Sequence, residues 1–190
     1  LGMVESALEF ARIAEKNGIP TLNEFFNAKL AARLRQTHGR ASVITASNCF
    51  AHIDDLEDTV QGIRALLSTN GVFILEAPYF LNLVKSLEYD TIYHEHLSYL
   101  SLKPLIPFFA RFGLEVFDVQ KKSIHGGSFR VFIGRKGRHK TTGAVGSCLK
   151  EEKAYGLYDP KTLLRFAAGV EKNRTELAWL LQGLKRKGKT

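Results

Sequence analysis

Apolar and polar positions along this chain switch between strand and helix spacing. Leu1 to Glu5 is a short apolar run of strand type. Ser6 follows as an N-cap for a helix in which Ala7, Phe10, Ala11 and Ala14 recur at helical spacing, and Asn17-Gly18 ends it. Gly18 to Leu22 predicts a second short strand, Ala28 to Gln36 a helix, and Ala41 to Ser47 a buried strand. Asp54 or Asp55 opens a helix carrying Leu56, Val60, Ile63, Leu66 and Leu67 on one side. Asn70-Gly71 then turns the chain into an apolar strand over Val72 to Glu76. Strands separated by helices predict a parallel α/β sheet covered on both faces, doubly wound, with ligands at the carboxyl ends of its strands.

The pattern changes after Tyr79, where aromatic, imidazole and carboxylate groups crowd together as far as Ser101. A helix from Lys103 to Phe112 ends at Gly113. Leu114 to Val119 and Ser128 to Ile133 both read as strands. The eight residues between them are too few for a helical crossover, so the pair is antiparallel. After Gly134 the chain is basic and glycine-rich to about Ser147, a linker, and a helix clearest from Pro160 to Leu184 carries an apolar stripe that needs a partner. The expected division is residues 1–134 as one domain, and 135–190 as a linker with the helical start of another.

Composition narrows the classes. With 45% hydrophobic and 24% charged residues in 190, the chain is an ordinary globular one, and no apolar run reaches the roughly 18–20 residues that span a bilayer. Cys49 and Cys148 make neither a disulfide framework nor a zinc knuckle and fit a reducing cytoplasm. Residues 1–97 hold 8 Lys/Arg and 12 Asp/Glu, whereas residues 98–190 hold 19 and 7, so the net charge of +8 comes from the second half. Its densest run, Arg135 to Lys140, lacks interleaved aromatic residues. A solvated linker, or an attraction for a diphosphate, fits it better than nucleic acid. Gly183 to Thr190 spells a phosphate-loop pattern, but a helix precedes it where a strand is required. The opening on Leu1 and the basic ending read as a fragment cut at both ends.

The densest chemistry lies in Tyr93-His94-Glu95-His96-Leu97-Ser98-Tyr99. Extended backbone would place His94 and His96 on one face; a turn would let Tyr93, Glu95 and both imidazoles converge. Three readings stay open on the residues alone: an acid–base site, polar packing, or a metal site through His94, Glu95 and His96. The zinc-protease pattern fails because Ser98 occupies its last position.

That segment, preceded by Glu76-Ala77-Pro78-Tyr79 and by Asn48-Cys49-Phe50-Ala51-His52-Ile53, and followed by Ile124-His125-Gly126-Gly127-Ser128-Phe129-Arg130-Val131, resembles the nucleotide-sugar C-methyltransferases over nearly the whole chain. The resemblance implies S-adenosylmethionine as cofactor and methylation at carbon 3 of a dTDP-4-keto-6-deoxy sugar. It implies a class I methyltransferase (Rossmann-like) sheet lacking its first strand and ending in an antiparallel hairpin, followed by a C-terminal helical segment. The family's zinc-binding region and glycine-rich cofactor loop would lie before Leu1, so these residues alone should bind the cofactor weakly. By resemblance His96 is the base, and Tyr93, Glu95 and His52 orient it or hydrogen-bond the sugar. Glu5, at a strand end, is the candidate for the cofactor's ribose hydroxyls, or a helix-start carboxylate. Asn48 lines the methionine side or forms a turn, and the two glycines of His125-Gly126-Gly127-Ser128 admit a ligand close to backbone or bend a hairpin. The implied partner is a small nucleotide-sugar substrate, with no nucleic acid, membrane or metal within this chain. The alternative is a non-catalytic methyltransferase remnant whose basic half binds an anionic partner.

Overall fold

The computed structural model describes residues 2–189, so Leu1 of the predicted first strand and Thr190 of the phosphate-loop pattern lie outside the described residues. The order is β1 (Met3–Val4), α1 (Leu8–Lys16), β2 (Thr21–Leu22), α2 (Ala28–His38), β3 (Ala41–Ser47), α3 (Leu56–Leu66), β4 (Leu67–Pro78), α4 (Phe80–Ser86), α5 (Leu102–Ala110), β5 (Leu114–Lys122), β6 (Ser128–Arg135), α6 (Gly143–Tyr155) and α7 (Pro160–Arg186). Short 3-10 turns at Phe50–His52 and Tyr89–Thr91 complete it.

Helix starts follow from local polar chemistry. Asn27 accepts from the Leu30 amide at 2.8 Å to cap α2, and Asp55 accepts from Asp58 at 2.9 Å to cap α3. The expectation for Ser6 fails: Ala7 is the cap residue of α1, and the Glu5 carboxylate accepts the Ala7 amide at 2.8 Å.

β1 and β2 form a parallel pair, and the larger sheet has the order β3-β4-β6-β5, with β3 and β4 parallel and the other pairs antiparallel. The expected hairpin is present, and β6 inserts between β4 and β5. Phe73, Leu75 and Ala77 of β4 stand opposite Ile133, Val131 and Phe129 of β6, and this face is buried. Opposite faces alternate along a strand, so Ile74 with Phe132 and Glu76 with Arg130 form the other, half-covered face.

Three expectations are corrected. Ala41 to Ser47 is a strand but not a buried one; it pairs on one side only, and Val43 is 58% exposed. Asn70-Gly71 does not separate a helix from a strand, because β4 already begins at Leu67. The extra residues form an irregularity where pairing jumps from Ala41–Leu67 to Val43–Val72. The supposed linker stops short of Ser147, since α6 starts at Gly143, capped by Thr142. Val145 and Cys148 of α6 and Leu157 after it pack into the same core as the sheet.

That core centres on Phe50, Phe73 and Phe109, whose ring centroids are mutually 6.2 Å apart. Helices α2 and α3 meet at Gly62, where a Cβ would lie 3.0 Å from the Asn27 carbonyl oxygen. α7 contributes little to the core: Thr162 is its buried residue, and Leu164 (69%) and Trp179 (74%) stand exposed on its apolar stripe. Phe109→Ala, which empties the centre of this cluster, is expected to destabilise the fold by about 3–5 kcal/mol, read as a lowered urea midpoint with an unchanged slope.

Candidate active site

The carboxyl ends of β3 and β4 assemble the site. Beyond β3 the chain turns at Asn48, whose φ of 53° is left-handed and whose amide donates to the Glu76 carbonyl at 2.8 Å. Asparagine tolerates this conformation better than most residues, so the turn-forming role is visible. The turn drives Phe50 and Ala51 into the core and leaves His52 at the rim. The Ala51 carbonyl accepts both the Leu97 amide (2.9 Å) and the Ser98 amide (3.2 Å), which ties the segment after β4 to the segment after β3.

Tyr93 to His96 is turned, not extended; the His96 amide donates to the Tyr93 carbonyl at 3.1 Å. The turn brings Tyr93 and His96 together at a ring separation of 4.3 Å, and His52 lies 4.7 Å from His96 on the other side. His94 does not join them and is exposed. Among the described residues no group of three or more His, Cys, Asp or Glu side chains is placed to hold a metal ion.

Hydrogen bonding assigns the tautomers. Nδ1 of His96 lies 2.7 Å from the Thr91 carbonyl, and Nδ1 of His52 lies 2.8 Å from the Glu95 carbonyl. A carbonyl only accepts, so Nδ1 bears a proton in both imidazoles, and the neutral form of each ring has its lone pair on Nε2. The Tyr93 hydroxyl lies 3.2 Å from His96 Nε2 and donates to it. Glu95 therefore meets His52 through its backbone, not its carboxylate. Behind His96 a cavity of about 20 Å³ is bounded by Ala51, Tyr79, Ser98, Tyr99 and Leu100, among others. The Ser98 hydroxyl oxygen is buried without a hydrogen-bond partner.

Glu5 ends β1 with one carboxylate oxygen on the Ala7 amide. Desolvation first, then the negative charge of Glu5, push the Cys49 thiol up. A half-buried strand-end carboxylate at Glu5 and a left-handed turn at Asn48 each offer polar groups of the kind an adenosyl cofactor uses, and the residues fit it to that extent.

The Gly126-Gly127 bend is packed by the protein itself: a Cβ on Gly127 would fall 1.9 Å from Asn82 Nδ2, and one on Gly126 would fall 2.5 Å from the Glu88 carboxylate. His125, with φ of 50°, is exposed. The basic run Arg135 to Lys140 sits at the opposite edge of the sheet, because Gly134 pairs with Val72 while Ser128 pairs with Pro78. Six strand residues at about 3.3 Å each separate the two edges by roughly 20 Å, so these cations do not hold a diphosphate at the catalytic edge. An open hollow of about 510 Å³ at that far edge, lined by Glu57, Gln61, Arg64, Arg111, Phe112 and Gly113, contains no imidazole, thiol or hydroxyl group.

Sequence reasoning passed over three groups here. Tyr79 closes the cavity wall, and its hydroxyl donates to a buried carboxylate on α6, Glu152, at 2.9 Å. The Glu76 carboxylate, 7% exposed, accepts from Arg130 Nε at 2.7 Å across β4 and β6. Glu152 gave no local signal, lying in the charged run Lys150-Glu151-Glu152-Lys153.

Residues 7–119 match the methyltransferase domain family, and residues 123–190 match the C-methyltransferase C-terminal domain. The C-methyltransferase NovU of Streptomyces niveus is 36% identical over 188 residues, which is 98% of this chain and 45% of that protein; the chain thus spans about 45% of its relative's length. The solved structure of an S-adenosylmethionine-dependent methyltransferase from Thermotoga maritima superimposes with a TM-score of 0.53 at 18% identity, covering 72% of this chain and 73% of that one. The fold is that of the class I methyltransferases.

At a pH above the imidazole range, long-range proton–nitrogen NMR correlation should show His52 and His96 as neutral Nδ1-protonated rings. An Nε2-protonated His96 would contradict the carbonyl-fixed tautomer.

Proposed function

The chain belongs to the methyltransferase domain family, whose cofactor is S-adenosylmethionine, and we propose that it forms the catalytic edge of an enzyme that methylates carbon in a nucleotide-linked 4-keto-deoxy sugar. The observation that carries this proposal is His96: a ring at the carboxyl edge of the sheet, held by the Thr91 carbonyl so that Nε2 keeps its lone pair, with a phenol 3.2 Å away. Methylation at carbon finds support in the match of residues 123–190 and in the likeness to a C-methyltransferase.

A hydrogen on carbon beside a ketone is weakly acidic, and its removal needs a positioned base together with donors for the oxygen that gains charge. His96 Nε2 takes that proton, and the electron pair of the broken C–H bond passes into an enolate. The imidazolium that results keeps its Nδ1 proton on the Thr91 carbonyl, which stabilises the positive charge. For the proton to reach Nε2, Tyr93 gives up its bond to that atom as substrate enters, which frees the lone pair, and turns its hydroxyl to the carbonyl oxygen that becomes the enolate oxygen. His52, at 4.7 Å from His96, borders the same space, and Glu95 holds it through its backbone carbonyl. Glu5 and Asn48 border the cofactor's side of the edge. When bound, S-adenosylmethionine supplies an electrophilic methyl group to the carbon that this proton transfer makes nucleophilic.

The two family matches meet between residues 119 and 123, within the β5–β6 hairpin and upstream of the division expected after residue 134. Both cysteines are free, which supports a cytoplasmic location, and no described helix is long and apolar enough to cross a membrane.

In the full-length protein, His96→Ala is expected to lower methyl transfer to a dTDP-4-keto-6-deoxy sugar by about 10²–10⁴-fold while S-adenosylmethionine still binds in calorimetry. In D₂O the unmodified protein should also exchange the carbon-bound hydrogen of that sugar, followed by proton NMR, and His96→Ala should not. Unaltered turnover and exchange in the variant would remove His96 from the role of base.

A further inference from the structure

The carboxylate of Glu152, 0% exposed, is the most deeply buried charged group among the described residues, and the proton transfer proposed above makes no use of it. Oε1 accepts from the Tyr79 hydroxyl at 2.9 Å and the Leu102 amide at 2.6 Å; Oε2 accepts from the Lys103 amide at 3.0 Å and the Tyr158 hydroxyl at 2.5 Å. All four partners are donors, and an ionised carboxylate is acceptor-only, so the match is complete. Leu102 and Lys103 are the first residues of α5, whose own cap residue, Ser101, makes no side-chain capping bond. Glu152 therefore caps α5 from another helix, where a negative charge is favoured. Ser101 Oγ instead lies 3.0 Å from the Tyr158 hydroxyl.

We infer that Glu152 is a positioning residue for the catalytic edge: it clamps Tyr79 at the end of β4 to the start of α5, and so fixes both sides of the segment that carries His96. Tyr79 pairs with Leu100 as an isolated bridge, and Phe80 donates to the Leu100 carbonyl at 2.9 Å. The Tyr79 side chain and His96 line the same small cavity. Just after His96 the segment is held at Leu97 and Ser98 by the Ala51 carbonyl, and from there it runs into the two amides that Glu152 accepts. Desolvation first, then Cys148 and Glu152, push the Tyr79 phenol far above its ordinary range, and desolvation followed by the bond to Glu152 pushes Tyr158 up as well. Both hydroxyls stay protonated as donors at any working pH. Glu152 lies on α6, inside the stretch matched to the C-methyltransferase C-terminal domain, so that region contributes to the site without touching substrate.

The clamp rests on the base assignment to His96, and three variants of the full-length protein separate the two. Glu152→Gln keeps the shape but turns an NH₂ group toward donors; it should lower kcat for methyl transfer to a dTDP-4-keto-6-deoxy sugar at least tenfold, with KM for S-adenosylmethionine within twofold. Glu152→Asp, which retains the charge, should recover part of that loss. The hydrogen-bonded Nδ1 proton resonance of His96 should weaken in Glu152→Gln while that of His52 persists, a change that general loss of packing would not confine to one ring. If Glu152→Gln does not fold, Tyr79→Phe decides: a three- to tenfold fall in kcat supports the clamp, and unchanged kcat overturns it. Full kcat in folded Glu152→Gln overturns it also. Should His96→Ala abolish turnover while Glu152→Gln leaves it intact, the positioning role alone fails; should His96→Ala be fully active, the base assignment fails first.

Discussion

One backbone oxygen organises the catalytic edge. The Ala51 carbonyl, at the end of a turn launched from β3, accepts two successive amides from the segment that follows β4. Residues 92–101 have no helix or strand ladder to satisfy their backbone groups, and buried amides without partners would cost free energy comparable to a lost hydrogen bond. Sharing one carbonyl between Leu97 and Ser98 meets that requirement and sets where His96 lies relative to His52. The Thr91 carbonyl then decides which nitrogen of His96 carries the proton. An irregular loop thus presents a defined lone pair because main-chain oxygens, not neighbouring charges, define it.

Neutral partners suit the base role proposed for His96, which requires the ring to change charge. A carboxylate against Nδ1 would stabilise imidazolium strongly and hold it against giving its proton up, whereas a carbonyl orients the ring with a smaller bias between the two charge states. Three carboxylates near the edge are engaged elsewhere: Glu76 with Arg130, Glu152 with four donors, and Glu151 with Lys85 and Lys121. Burying such groups is costly unless every lone pair finds a donor. Here the satisfied carboxylates hold strands and helices in register and leave the imidazole electrostatics to dipoles.

Legibility from sequence followed the range of the interactions. Helices α2, α3 and α5 and the β5–β6 hairpin were readable because caps, periodicity and loop length are local. The burial of β3 was not, since Ala41 to Ser47 has the same apolar run whether one or two of its edges are paired. The convergence of Tyr93, His96 and His52 was legible only as one of two geometries, because the choice rests on Ala51, more than forty residues upstream in sequence. Motif resemblance pointed at these residues without saying that Glu95 would act through its carbonyl. Glu152 was invisible: between Glu151 and Lys153 it has the pattern of a solvated helix face, and three of its four donors come from residues about fifty and seventy positions away.

The charge asymmetry of the chain resolves differently from what its linear distribution implies. The dense basic run after β6 falls at the amino edge of the parallel strands, where Arg135 donates to the carbonyls of Arg64, Leu67 and Ser68 and lies in the field of Arg35, Arg40, Arg64 and Arg138. Desolvation, and after it those like charges, pull its ionisation down, so the carbonyls it caps offset a repulsion that no carboxylate relieves. Arg135 therefore acts as a closure for the ends of α3 and the start of β4. At the carboxyl edge Arg130, Lys121 and Lys85 each face a carboxylate, whereas Lys122, which pairs with Ser128, donates to the Gln120 amide oxygen at 2.9 Å. The linear charge count therefore overstates the positive charge at the carboxyl edge, where three of these four cations are neutralised by carboxylates and the dense run lies at the other end of the strands.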